Sequence, residues 1–438
     1  NDFTEGSEVA KGYENLKTQD ILHQVAKLPD GARLVFNLFA IDGYTHTGIK
    51  RLKRLELIKS GEIKDISNLP EGAFKSYMDI ELNLLSKRND SVSQFLKFDK
   101  GFQDNISSLF RGLDRSYSLA VLDISDIDNL RYAYRNETLG YQPGSVGKIA
   151  VLAGLFDQLA KIYPNDFEKR LDLLRNKSVK AGVWGLTDEH TIPIYNIETK
   201  KLVKRQVIAS DVFTLFEWAD HMLSVSNNGA ASIVWREALL MHAFGKDYPA
   251  LTQEGADAYF KNTPKKELTD LGNDVVNLPL RTLEITPDEW RLGSFFTKGA
   301  NTYVGDKGGS IGSPMGLMKF LIQLEQGNVV DEASSLEMKR LMYMTDRRIR
   351  YAQSPALKEA AVYFKSGSLY KCDRTKGESC GKYMGNISNF MNSVAIVEHP
   401  NNCKYMVVLM TNVLRKNSAT DHMMLAASID KIIQKGGQ

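Results

Sequence analysis

No apolar run of the roughly 18 residues that a bilayer-spanning helix needs occurs in this 438-residue chain, so no membrane span is expected. A dominant charge is missing too: 56 basic and 53 acidic side chains leave a formal charge of +3. Nothing in that balance calls for nucleic acid or an anionic lipid surface as a partner. Cysteine is scarce, and Cys372, Cys380 and Cys403 all lie near the C-terminal end. The first two flank a Lys/Gly/Glu-rich loop and can close a local disulfide in an oxidising compartment, leaving Cys403 single; three free thiols are the alternative. The opening residues Asn1-Asp-Phe-Thr-Glu-Gly6 lack a basic and apolar leader. That fits an exported chain whose signal has been removed and a cytoplasmic chain equally. What is present, 43% hydrophobic and 25% charged residues, is the balance of an ordinary globular protein, at a length that allows two or three domains.

The chain is organised around Gly144-Ser145-Val146-Gly147-Lys148, where a polar loop ending in Gln142-Pro143 turns into the apolar run Ile149-Ala-Val-Leu-Ala-Gly-Leu-Phe156. So uniformly apolar a run reads as a buried helix. Serine at its first turn and lysine three residues on share one helix face, beside the free N–H groups and positive field of a helix start. A lysine among apolar neighbours loses solvation of its charged form, so its neutral amine can take the serine proton and leave a nucleophile. The same Ser-X-X-Lys spacing recurs at Ser368-Leu-Tyr-Lys371 and Ser428-Ile-Asp-Lys431. Setting, not spacing, singles out Ser145.

Residues 1–100 read as an accessory segment, with a helix predicted at 20–27 and a strand at 33–40. The basic stretch Lys50-Arg51-Leu52-Lys53-Arg54 interrupts a helical pattern of Leu52, Leu55 and Ile58, and its charges read as a solvated face. From 101 a helical pattern over 102–113 is followed by strands over 116–123 and 130–135, a hairpin leading to Ser145. Residues 149–345 are mainly helical by periodicity, with polar connections around Asn176, Asn196 and 263–266. Strands are predicted over 361–370, 389–397 and 404–413, the last as apolar as a central strand, and an amphipathic helix over 419–435. The expected fold is α+β, a five-stranded antiparallel sheet flanked by helices. Residues 101–140 and 346–438 supply the sheet domain, 141–345 an inserted all-helical lobe, and 1–100 the N-terminal segment. The site is expected in the cleft between sheet and lobe.

Two further motifs fall at the edges of that cleft. Ser226-Asn227-Asn228 lies between two apolar-periodic helices, where an extended loop points Ser226 and Asn228 the same way: a hydroxyl to relay a proton and an amide to hold a carbonyl. Lys365-Ser366-Gly367-Ser368 lies in a predicted strand. Gly367 lets a ligand backbone approach, and a strand edge can pair with an extended substrate. Lys365 brings positive charge and Ser366 a hydroxyl suited to a carboxylate.

Together, Ser145-Val-Gly-Lys148, Ser226-Asn-Asn228 and Lys365-Ser-Gly367 resemble, in order and in context, the signature of the penicillin-recognising serine hydrolases. The likeness spans about residues 101–438 and is greatest to class A β-lactamases, helped by Ser313-Pro314-Met315-Gly316. It implies a serine hydrolase acylated at Ser145 by a β-lactam or related amide and then hydrolysed. Lys148 is implied as base or base partner, Ser226 as proton relay to the leaving nitrogen, and Asn228 as holder of the substrate's side-chain amide. Lys365 and Ser366 are implied to bind its carboxylate, beside Gly367 and Ser368. The N–H groups of Ser145 and Ser368 form the implied oxyanion hole. The resemblance implies no metal and no cofactor. It implies a small-molecule β-lactam or cell-wall peptide-like substrate and a periplasmic or secreted location, and it leaves residues 1–100 available to contact a protein partner. One departure matters. No Glu-X-X-Leu-Asn stands between 229 and 364, and Asn227 replaces the usual Asp. Glu284 and Glu289 are only candidates for activating water, and each reads first as a surface carboxylate. A D-Ala-D-Ala peptidase or esterase, and a non-catalytic penicillin-capturing protein, are the alternatives.

Overall fold

The structure, a computed structural model, describes residues 42–63, 75–346, 348–373, 375 and 380–436. The helix and strand expected at 20–27 and 33–40 lie outside the described residues. Helices α1 (Gly43–Thr47) and α2 (Lys50–Lys59) come first. Leu52, Leu55 and Ile58 enter the main core, as their spacing requires. The basic face expected to be solvated is so only in part, because Arg51 and Arg54 are buried. Arg51 donates to both Asp220 oxygens at 2.6 Å and to Met344 O at 2.5 Å. One position from Leu52 and Leu55, these arginines border the apolar stripe. A helix laid against the lobe takes Arg51 inside, where a buried charge needs an opposite partner.

Short α3 (Val92–Phe95) and α4 (Lys100–Ser108) lead to β1 (Ser118–Asp123) and β2 (Arg131–Arg135). The lobe opens with α5 (Lys148–Ile162), buried along Ile149 to Phe156 as its composition demands. It continues through α6 (Phe167–Asn176), β3 (Ser178–Lys180), β4 (Ile192–Asn196), β5 (Lys201–Arg205) and β6 (Val212–Thr214). Helices α7 (Leu215–Ser224), α8 (Asn228–Phe244), α9 (Gln253–Asn262) and α10 (Lys265–Arg281) follow. After β7 (Trp290–Arg291) and β8 (Ile311–Gly312) come α11 (Pro314–Glu325) and α12 (Glu332–Tyr343). The lobe is therefore helical but not all-helical: β3 pairs with β6, β4 with β5 and β7 with β8. At Asn196 the polar connection is a hairpin turn. Thr199 N donates to Asn196 Oδ1 at 2.7 Å and Lys200 takes φ 54°, turn chemistry that periodicity does not register.

The chain returns to the sheet with β9 (Ala361–Lys371), β10 (Ser388–Glu398) and β11 (Lys404–Asn412), and closes on α13 (Ala419–Gly436). The five-stranded sheet has the order β2-β1-β11-β10-β9, antiparallel throughout. Strand alternation feeds two cores. β1 sends Ala120 and Leu122 toward the lobe and Leu119 and Val121 to the opposite face, where Ile106, Leu425 and Ile429 cover them. β9 lies at the edge of the sheet, beside the turn that carries Ser145.

Candidate active site

Ser145 sits in a single 3₁₀ turn, Gly144–Gly147, with the α-helix proper beginning at Lys148. Gly144 has φ 54°, a conformation glycine adopts without steric cost. Asn392 Nδ2 pins the loop before it, donating to Gln142 O at 2.9 Å and Pro143 O at 3.1 Å. Lys148 is wholly buried. Its Nζ lies 3.0 Å from Ser145 Oγ, 2.5 Å from Ser226 O, 2.7 Å from Asn228 Oδ1 and 3.4 Å from Ser226 Oγ. Burial pushes this amine down to about 7, against the opposing pull of Asp188.

Ser226 and Asn228 do converge, though not through an extended loop. Ser226 is left-handed, with φ 61°, and Asn228 is the first residue of α8. Asn227 caps that helix, its Oδ1 accepting from Ala230 N at 2.7 Å while its Nδ2 donates to His190 O at 3.0 Å. The cap turns the chain so that both neighbouring side chains reach Lys148.

From the sheet side, Lys365 donates to Ser226 Oγ at 2.7 Å, so one hydroxyl bridges two lysines. Burial, with Lys148 and Arg350 close by, holds the Lys365 amine well below the ordinary lysine range. Gly367 is required by contact: a Cβ there would lie 2.3 Å from Pro143 O and 2.8 Å from Ser145 N. Its backbone is thus seated on the serine turn, with Ser368 alongside. Ser145, Ser226, Asn228, Lys365, Ser366, Gly367 and Ser368 all line one cleft of about 800 Å³ between sheet and lobe. The recurrence at Ser428 lies elsewhere, its hydroxyl bonded to Met424 O within α13.

Glu284 and Glu289 stand off from the cleft. Glu284 is exposed, and Glu289 pairs with Lys319 at 2.6 Å and accepts from Thr286 N at 2.8 Å. The segment between β7 and β8 instead presents apolar groups to the serine turn. A Cβ on Gly147 would meet Leu292 Cδ2 at 2.6 Å and Phe296 Cζ at 3.5 Å, and the Phe296 ring centre is 5.2 Å from Lys148 Nζ. Three polar residues escaped sequence reasoning. Arg350 donates to Gly367 O at 2.7 Å and Ser368 Oγ at 2.9 Å; Asp188 accepts from Asn228 N, and His190 O accepts from Asn227 Nδ2. None belongs to a motif. Among the described residues no group of three His, Cys, Asp or Glu side chains is arranged to hold a metal, and no helix is long and apolar enough to cross a membrane.

A sheet drawn from the two flanks of a helical insertion, with serine, amide and lysine segments meeting where they join, defines the penicillin-recognising serine hydrolase fold. The family model of the β-lactamase enzyme family matches residues 101–434, and the chain belongs to that family. At family level it is a β-lactam-type serine hydrolase. Among solved structures, the extended-spectrum β-lactamases TLA-3 and TLA-1 are each 14% identical with a TM-score of 0.50, covering 77% of this chain and 98% and 99% of theirs. A β-lactamase from Chitinophaga pinensis is 13% identical with a TM-score of 0.49, covering 77% of this chain and 100% of its own. For TLA-3 and TLA-1 the likeness, at such identity, is one of fold. No curated protein matches the chain.

Proposed function

We propose that this protein is acylated at Ser145 by a β-lactam or a related amide bearing a carboxylate, and releases the acyl group to water. The observation that carries this reading is the set of partners around Lys148 Nζ. Ser226 O and Asn228 Oδ1 can only accept, so they engage two N–H groups. A neutral amine has two, and its lone pair is left for the Ser145 hydroxyl proton. With the amine near 7, that neutral form is well populated at neutral pH.

In the proposed step Ser145 Oγ bonds to the carbonyl carbon while its proton passes to Lys148. The N–H groups of Ser145 and Ser368 receive the developing oxyanion, as preorganised donors do. The lactam C–N bond then breaks, and Ser226 passes a proton from the adjoining amines to the leaving nitrogen. Asn228 holds the substrate amide, and Lys365 and Ser366 its carboxylate. The Cys372–Cys380 disulfide supports an oxidising compartment and so a periplasmic or secreted location.

One observation favours a second reading, in which the acyl-enzyme persists, as for a D-Ala-D-Ala peptidase or a penicillin-capturing protein. Leu292 and Phe296, not a carboxylate, pack on the serine turn. Intact-mass spectrometry during incubation with penicillin G tests both. A penicilloyl adduct on the wild type and none on Ser145→Ala is expected. A transient adduct supports hydrolysis, a lasting one the second reading. No adduct, or one retained by Ser145→Ala, overturns acylation at this serine.

A further inference from the structure

The loop between β3 and β4 carries a buried carboxylate that the steps above do not use. Asp188 follows left-handed Thr187, φ 67°, and its side chain is 2% exposed. Its Oδ2 accepts from Asn228 N at 2.6 Å. Its Oδ1 accepts from Asn228 Nδ2 at 3.1 Å and lies 2.7 Å from His190 Nδ1. A carboxylate only accepts, so Asp188 faces the donor end of the Asn228 amide and fixes which way that amide is turned. The acceptor end then faces Lys148 Nζ at 2.7 Å.

We propose that Asp188 is a positioning residue for acylation: by holding the Asn228 amide with its oxygen toward Lys148, it engages one amine N–H and aims the amine lone pair at Ser145. This rests on the reading of Lys148 as the base. An amide turned the other way would present a donor to the amine and draw the lone pair away from the serine.

The carboxylate also acts through its charge. The ionisable groups around Lys148 are Asp188 from this loop and Lys365 from β9, with His190 beyond the first and Arg350 beyond the second. Glu189, Lys204 and Asp346 stand at the rim of the cleft. Asp188 is the anion that opposes the loss of the Lys148 proton. Burial works against its own ionisation, but the His190 and Asn228 hydrogen bonds hold its carboxyl below the usual range. Removing its charge therefore shifts the Lys148 titration to lower pH.

The test uses a fluorophosphonate, which reports Ser145 reactivity without a lactam: the Oγ–P bond forms, the P–F bond breaks, fluoride leaves and the hydroxyl proton goes to Lys148. Rates are measured from pH 5 to 9 on the full chain, with folding checked by thermal unfolding. Asp188→Asn is expected to lower the high-pH plateau about tenfold or more and to move the acid limb to lower pH. Asp188→Glu keeps the charge and is expected to hold the acid limb near its wild-type position. Wild-type reactivity in Asp188→Asn overturns the proposal, as does a lower plateau with an unmoved acid limb, which is all that a merely structural role would give. Penicillin G run in parallel separates the two readings. A serine that takes the fluorophosphonate but never penicillin refutes the lactam reading and leaves the Asp188 result standing; an unreactive Ser145, or a wild-type rate flat with pH, overturns both.

Discussion

Replacing Lys148 with methionine should make the protein more stable at neutral pH while abolishing acylation. In the folded chain the amine sits near 7, against about 10.4 for a solvated lysine. At 1.36 kcal/mol per unit, the unfolded chain's preference for a charged lysine opposes folding by about 4 kcal/mol at pH 7. Methionine is of similar length and carries no charge, so that opposition disappears. It also leaves Ser226 O and Asn228 Oδ1 without a donor, at a cost of about 1 kcal/mol each. The net gain is about 2 kcal/mol at pH 7.

The pH dependence identifies the cause. Between pH 7 and 10 the unfolded lysine holds a proton that the folded one lacks, so the Lys148 contribution to wild-type stability rises with pH by about 1.4 kcal/mol per unit. The variant has no such term, and its advantage should vanish at about pH 9 and reverse above it. Urea unfolding of both proteins at pH 6, 7, 8 and 9 measures the difference. A gap that stays constant from pH 7 to 9, or a variant less stable at pH 7, would refute the reasoning.

Gly367→Ala places a methyl 2.3 Å from Pro143 O, so the serine turn or β9 must move. A shift of about 1 Å at the nucleophile should slow acylation roughly 100-fold, and a wild-type acylation rate would count against the required contact. Arg51→Ala leaves Asp220, 1% exposed, without its charge partner. A loss of about 3–5 kcal/mol in urea unfolding is expected, with part of it recovered in Arg51→Ala/Asp220→Ala; a loss below about 1 kcal/mol would show that the pair is not insulated from solvent.

What could be read in the sequence was what depends on local pattern. The strand predicted over 404–413 is observed as Lys404–Asn412, because a run apolar on both faces has few places to go except the middle of a covered sheet. Ser145 and Lys148 were legible because a polar pair at helical spacing entered an apolar run. The left-handed turn at Ser226 was not, since an extended and a kinked tripeptide look alike until Asn227 caps a helix. Asp188 and Arg350 were invisible for another reason. They act across 40 and 17 residues, from stretches whose polar composition suits any surface loop. Glu284 and Glu289 were attractive only as carboxylates in the right interval of chain, and Lys319 and the Thr286 turn account for one of them. The basic stretch at 50–54 misled because composition counts charges, while helix geometry decides which of them face inward.

That inward turn bears on how the pocket is held. The described part of the first hundred residues meets the rest of the chain at several buried acids. Arg51 pairs with Asp220 on α7, and Tyr77 OH donates to Glu337 on α12. Lys75 reaches Glu398 on β10 at 2.6 Å, and Asn83 N donates to Glu325 on α11 at 2.5 Å. Lys339 lies 2.7 Å from both Glu325 and Glu398, but one ammonium cannot neutralise two carboxylates, and Lys75 supplies the second charge. Each acid is nearly solvent-free, so each would be costly without its partner. Helix α7 ends at Ser224, two residues before the hydroxyl that bridges Lys148 and Lys365. Helix α2 therefore supplies the counter-charge for a buried carboxylate of α7, the helix that leads directly to Ser226.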